Sequence, residues 1–105
     1  MIKGATAKKA KTKTITAGPT PFVIGKSYFI RTVTYHLVGT VTSCVGQFIL
    51  LKDAAWVADS GRFTQALRDG TLNEVEPIPD GEAIVNLGAV TDAFIWAHTL
   101  PLTQK

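Results

Sequence analysis

The chain predicts a mainly β domain, a small β-barrel or sandwich with one short α-helix and an extended N-terminal arm. Three observations carry that expectation. Residues Tyr28 to Ser43 are rich in β-branched and aromatic side chains, which suit a pleated, half-buried strand. Turn formers recur at short intervals after them, at Gly46, Gly70, Pro77, Pro79, Asp80-Gly81 and Gly88, leaving room for strands but not for long helices. A helical pattern occurs in one place, about residues 60–69.

Taken in order, Thr14 to Gly25 contains two prolines and two glycines, which fix φ or remove donors, so it is expected to run extended. Its end, Pro21, Phe22, Val23 and Ile24, is apolar enough to pack on a neighbour. Phe29, Val33, Tyr35, Leu37 and Val41 fall on one period-2 face, interrupted by Arg31 and Gly39. This reads as a long or broken strand pair with Gly39 at a bend or bulge. Cys44-Val45-Gly46-Gln47 suits a short hairpin connection, and Phe48 to Lys52 is an apolar run of strand length. Ser60 precedes a stretch in which Phe63 and Leu67 lie four apart and Gly70 marks the stop, the signature of a helix of two to three turns. Leu72 to Ile78 is a strand candidate cut off by Pro77 and Pro79, and Asp80-Gly81 is a turn. Glu82 to Leu87 and Val90 to Ala97 are strands joined around Gly88, and Thr99 to Lys105 is irregular. The organisation expected is therefore an arm over 1–25 and a compact β domain over 26–105.

A chain of 105 residues is one domain's worth of protein, able to bury roughly two thirds of its unfolded surface. With 46% hydrophobic and 18% charged residues it is too apolar for an intrinsically disordered protein. No apolar stretch approaches the ~20 residues of a membrane span. The beginning, Met-Ile-Lys-Gly-Ala-Thr-Ala-Lys-Lys, lacks the hydrophobic region of a secretory signal peptide. The single cysteine, Cys44, forms no internal disulfide, so the core must hold the fold.

The net charge of +3 is unevenly distributed. Lys3, Lys8, Lys9, Lys11 and Lys13 give residues 1–13 a charge of +5 with no acid, whereas residues 14–105 carry six cations against eight acids, a net −2. The positive charge thus belongs to the arm, which is built of Ala, Lys and Thr between Ala5 and Thr14 and is expected to order only against a partner. On duplex DNA five lysines would give a log-log salt slope of about −4.5, a loss of a few hundredfold in affinity between 50 and 200 mM salt. The arm has no aromatic to stack on bases and no arginine to read guanine, so such binding would be non-specific.

No motif for catalysis stands out. His36 and His98 are far apart and neither has a cysteine or carboxylate at metal-ligand spacing, so they read as ordinary histidines and no metal or other cofactor is expected. Cys44 has no adjacent cation to activate it. Asp53, Asp59 and Asp92 could converge as acids, but single acids beside turns and helix starts are better explained as turn and cap residues. Ser60-Gly61-Arg62 has the local look of an anion site at a helix N-terminus, with simple capping the stronger explanation. No glycine-rich phosphate loop is present. The aromatics Trp56 and Trp96 suit core packing or contacts between subunits, and the sequence does not separate these uses.

Two resemblances add to this. Tyr35-His36-Leu37-Val38-Gly39-Thr40-Val41 followed by Val45 to Ala54 resembles the middle of an Sm-like or SH3-like small barrel: a strand bent at a glycine, a tight turn and an apolar return. It implies the barrel but not RNA binding, because the family's helix precedes its barrel and its RNA-binding residues have no counterpart here. The chain as a whole, especially Asp53 to Phe63 and Glu74-Val75-Glu76-Pro77, resembles small proteins of tailed bacteriophages, among which a short β domain with an extended arm is typical of capsid decoration or cement proteins. That likeness implies a non-enzymatic virion protein, assembled in the host cytoplasm, that reinforces a shell. Its partners would be the phage major capsid protein or other shell subunits and further copies of itself, with no membrane involved. The arm lysines, Pro21 to Ile24, Trp56 and Trp96 are the candidate contacts. The alternative is a small nucleic-acid-binding barrel with the lysine arm as a phosphate clamp.

Overall fold

The computed structural model describes residues 20–105. Its elements are β1 (Ser27–Thr32), β2 (His36–Val45), β3 (Phe48–Asp59), α1 (Phe63–Asp69), β4 (Glu74–Pro77), β5 (Ala83–Asn86) and β6 (Val90–Ile95), with a 3₁₀ turn at Leu87–Ala89. The mainly β class with one short helix is as the sequence indicates. The described residues begin at Thr20, so the five arm lysines lie outside them.

All strands join one antiparallel sheet in the order β4-β3-β2-β1-β6, with β5 pairing the first part of β3. The β2–β3 hairpin turns on Gly46 and Gln47, where Gly46 supplies a φ of 58° between the paired residues Val45 and Phe48. β3 continues well past the apolar run Phe48–Lys52, to Asp59, because a bulge re-aims it midway. Val38 pairs with Ala55 and Thr40 with Lys52, so two residues, Asp53 and Ala54, stand opposite Gly39. Asp53 takes a left-handed φ of 51° there. A Cβ on Gly39 would stand 3.3 Å from Ala54 and Leu51, so any side chain there would have to push the bent strand back by a few tenths of an ångström.

The bend allows closure. β5 lies on β3 and β6 on β1, four strand spacings apart or about 19 Å if the sheet were flat. The three-residue turn between them cannot cover that distance comfortably, so the sheet curls into a partly closed barrel. The turn is tied on both sides: Leu87 N–H donates to the Gln47 carbonyl at 2.7 Å and Val33 N–H to the Ala89 carbonyl at 3.1 Å.

Two cores result. The barrel interior holds Tyr28, Ile30, Leu37, Val41, Ile49, Leu51, Ala54 and Val85. The outer face of β1, β2 and β3 carries Phe29, Val38, Ala55 and Val57, which α1 and the C-terminal segment cover with Ala66, Leu72 and Trp96. The single period-2 face expected from Phe29 to Val41 is therefore incorrect. Phe29 is in the outer core, Leu37 and Val41 are inside the barrel, and Val33 and Tyr35 are exposed. The chain reverses at Thr32, whose Oγ1 donates to the Tyr35 carbonyl at 2.7 Å and accepts from Tyr35 N–H at 3.0 Å, so side-chain parity does not carry across.

The helix is also shorter than 60–69. Asp59 Oδ1 accepts from Gly61 N–H at 2.8 Å, Gly61 has a φ of 70°, and Arg62 is extended, which delays the first helical residue to Phe63. The stop is where the sequence put it, at Gly70 with a φ of 74°. The segment after Thr99, although irregular, pairs with β4 through reciprocal backbone hydrogen bonds of 3.0 Å between Val75 and Lys105.

Candidate functional site

The strongest surface feature is an apolar groove of about 450 Å³ where the sheet extends beyond the barrel. Leu37 on β2, Trp56 on β3 and Glu76 on β4 are cross-strand neighbours and share one face, Leu37 being the last of them covered by the barrel. Tyr35, at the β1–β2 connection, closes one side of the groove, and Pro77, Pro79 and Ile84 close the other. Pro79 and Asp80 make the β4–β5 connection a tight turn, in which Gly81 N–H donates to the Ile78 carbonyl at 2.8 Å. Trp56 is 40% exposed and Ile84 71%, unusual for side chains of their size. Val45 and Phe48, also exposed, pair at the tip of the β2–β3 hairpin, at the other end of β3 from Trp56.

The groove has an acidic setting. Glu76 lines it, Glu74 precedes it on β4, and Asp80 and Glu82 flank the connection into β5, all of them exposed. Asp53 and Asp80 line an adjoining cleft on the other side of Pro77 to Pro79. The nearest cations in the pairing are Lys52, next to Asp53, and Lys105, whose backbone meets Val75.

The remaining candidates separate into structural roles. Trp96 is 3% exposed in the outer core, its Nε1 donating to the Thr99 carbonyl at 3.3 Å, so it is a core residue and not a surface contact. Of the two tryptophans only Trp56 reaches the surface. Phe22 is half-buried and meets Tyr28 edge to face at 4.8 Å, while Pro21, Val23 and Ile24 are exposed. Val23 N–H donates to the Tyr28 hydroxyl at 3.0 Å, and Gly25 N–H to the Val41 carbonyl at 2.8 Å, anchoring this stretch to the barrel.

His36 packs on Phe29 at 5.7 Å, and His98 Nε2 bonds the Leu67 carbonyl at the end of α1 at 2.7 Å. Asp53 sits in the bulge, Asp59 holds the turn before α1, and Asp92 pairs with Arg31, so these acids do not converge. Gly61 N–H, the donor an anion would need at Ser60-Gly61-Arg62, is taken by Asp59. Cys44 is half-buried in β2 opposite Ile49, and so belongs to the strand and not to the expected Cys44–Gln47 connection, which narrows to Gly46 and Gln47. Among the described residues no three His, Cys, Asp or Glu side chains gather closely enough to hold a metal ion. No helix among them is long and apolar enough to cross a membrane.

Sequence reasoning missed the groove, whose signal was the spacing of Tyr35, Trp56 and the Pro77-Ile78-Pro79 run. It also missed the Arg31–Asp92 pair, which joins strands 61 residues apart. No protein-family model matches the chain, and neither does any curated protein or solved structure.

Proposed function

We propose that the chain is a non-enzymatic structural component of a virion, binding the capsid shell of a tailed bacteriophage and reinforcing contacts between its subunits as a decoration, cement or minor capsid protein. The observation that carries this reading is the apolar surface formed by Tyr35, Trp56 and Ile84. Large apolar side chains left uncovered together on a small domain are suited to burial against another protein. The basic arm adds a second contact that can order on assembly, its entropic cost offset by the surface it covers. Self-association into a homo-oligomer belongs to the same reading.

The test is co-sedimentation of the full-length chain with assembled phage heads that lack it, alongside binding to duplex DNA at 50 and 200 mM salt. Retention on heads at the higher salt supports the proposal. Tight, salt-sensitive DNA binding without retention on heads replaces it with the nucleic-acid module.

A further inference from the structure

The groove beside Trp56 combines an apolar floor with an acidic rim, and residues 1–19 of the same chain supply a matching ligand. Those residues contain five lysines and no acid, whereas residues 20–105 have a net charge of −2. In Lys9-Ala10-Lys11-Thr12-Lys13-Thr14-Ile15-Thr16 the alternation sets Lys9, Lys11, Lys13 and Ile15 on one side of an extended strand. Such a strand offers an apolar anchor followed by a row of cations, as the groove offers Trp56, Tyr35 and Ile84 followed by Glu76, with Glu74 two residues away on the same strand. The acidic rim disfavours the same face of a second copy, which would bring like charges together.

The described chain begins at Thr20, which lines a separate cleft with Phe22, Tyr28, Val90 and Ala93 at the β1–β6 end of the sheet. The groove is at the β2–β3–β4 end. A segment that starts at one end of the sheet and a receptor site at the other make a head-to-tail contact, the kind that closes into rings or follows the symmetry of a larger lattice. Five residues separate Ile15 from Thr20, a reach of about 17 Å when extended, so the contact requires the neighbour's groove to lie close to the β1–β6 end of this barrel.

We infer that residues 9–15 of one copy dock in the Tyr35–Trp56–Ile84 groove of the next, Ile15 against Trp56 and Lys11 and Lys13 against Glu76 and Glu74. This rests on the reading of the chain as an assembly component, and names the partner its groove takes.

Two full-length variants test it: an arm variant (Lys11→Glu, Lys13→Glu, Ile15→Asp) and a groove variant (Glu76→Lys, Ile84→Asp). The wild-type chain should self-associate with concentration in sedimentation velocity, with a blue shift of Trp56 emission, and more weakly at high salt. Each variant alone should associate at least about tenfold more weakly. Mixed, they should form a one-to-one complex, because one retains a groove and the other an arm. Wild type that remains monomeric overturns the inference, as does a blue shift independent of concentration, which would mean docking of a chain's own arm. Association of the wild type with no complex in the mixture also overturns it. If a groove variant fails to fold by circular dichroism, the charge exchange Glu76→Lys with Lys11→Glu and Lys13→Glu in one chain decides: restored association supports the contact and lost association refutes it. Complementation without retention on phage heads would refute the shell reading alone. Retention on heads without complementation would refute only the docking.

Discussion

Arg31 donates two hydrogen bonds to Asp92, from Nε to Oδ1 at 2.7 Å and from Nη2 to Oδ2 at 2.6 Å, and the pair joins β1 to β6. Its guanidinium carbon also lies 4.3 Å from the centroid of the Phe63 ring, so the same side chain binds the first turn of α1 to the sheet. The bonds from Arg31 hold the Asp92 carboxyl below its ordinary value of 3.8 against the opposing effect of desolvation, helped by the Arg31 charge and, least, by His36. A carboxyl with a depressed folded pKa contributes stability above its unfolded pKa, and the contribution disappears as pH falls through the folded value. Asp92→Asn should therefore destabilise the chain by about 1 kcal/mol at neutral pH, the scale of a half-exposed bidentate pair. Urea midpoints of wild type and variant should converge below about pH 4.

Gly70→Ala should be among the most damaging single-methyl changes. The position has a φ of 74°, and a Cβ there would come within 2.6 Å of His98 Cγ. Left-handed strain of roughly 1–2 kcal/mol combines with displacement of the imidazole that bonds the end of α1. Chemical denaturation should show a loss of about 2–4 kcal/mol. The double variant with His98→Ala should lose less than the sum of the single changes, since both disrupt one contact.

Asp53→Gly should leave stability unchanged or raise it by up to about 1 kcal/mol, because glycine adopts the left-handed bulge without the cost a Cβ carries. Asp53→Val should lower it, a β-branched side chain being least tolerant of this conformation. Thermal unfolding of the three proteins gives the order directly.

Trp56→Ala and Trp96→Ala should separate cleanly. The second empties a site in the outer core and should cost about 3–5 kcal/mol. The first removes a half-exposed side chain and should cost less than about 1 kcal/mol while reducing any self-association or retention on shells. Equal losses of fold stability would place Trp56 in a structural role and remove the groove from consideration.

How far the sequence could be read follows a physical boundary. Features set by one or two residues were legible: the left-handed stop at Gly70, the turn at Gly46, the bend at Gly39 and the breaks at Pro77 and Pro79. Each depends on backbone constraints that act locally. Features set by what lies across the sheet were not. Phe29 and Leu37 belong to different cores because a reversal at Thr32 to Tyr35 resets the alternation, and no count along the chain detects a second buried face. Trp56 and Trp96 are chemically identical, and only the cover supplied by α1 and the C-terminal segment makes one a core residue and leaves the other at the rim of a groove.

The presence of a core on each side of β1 and β2 has a consequence for how such a sequence can drift. Alternate positions in an ordinary two-layer protein face water and accept almost any polar residue, so half of each strand is free to vary. Tyr28, Phe29 and Ile30 are consecutive and all buried, as are Leu37 through Val41. Variation tolerated by the fold is therefore displaced to β5, the loops and the groove rim, the surface on which a change of partner would have to be written.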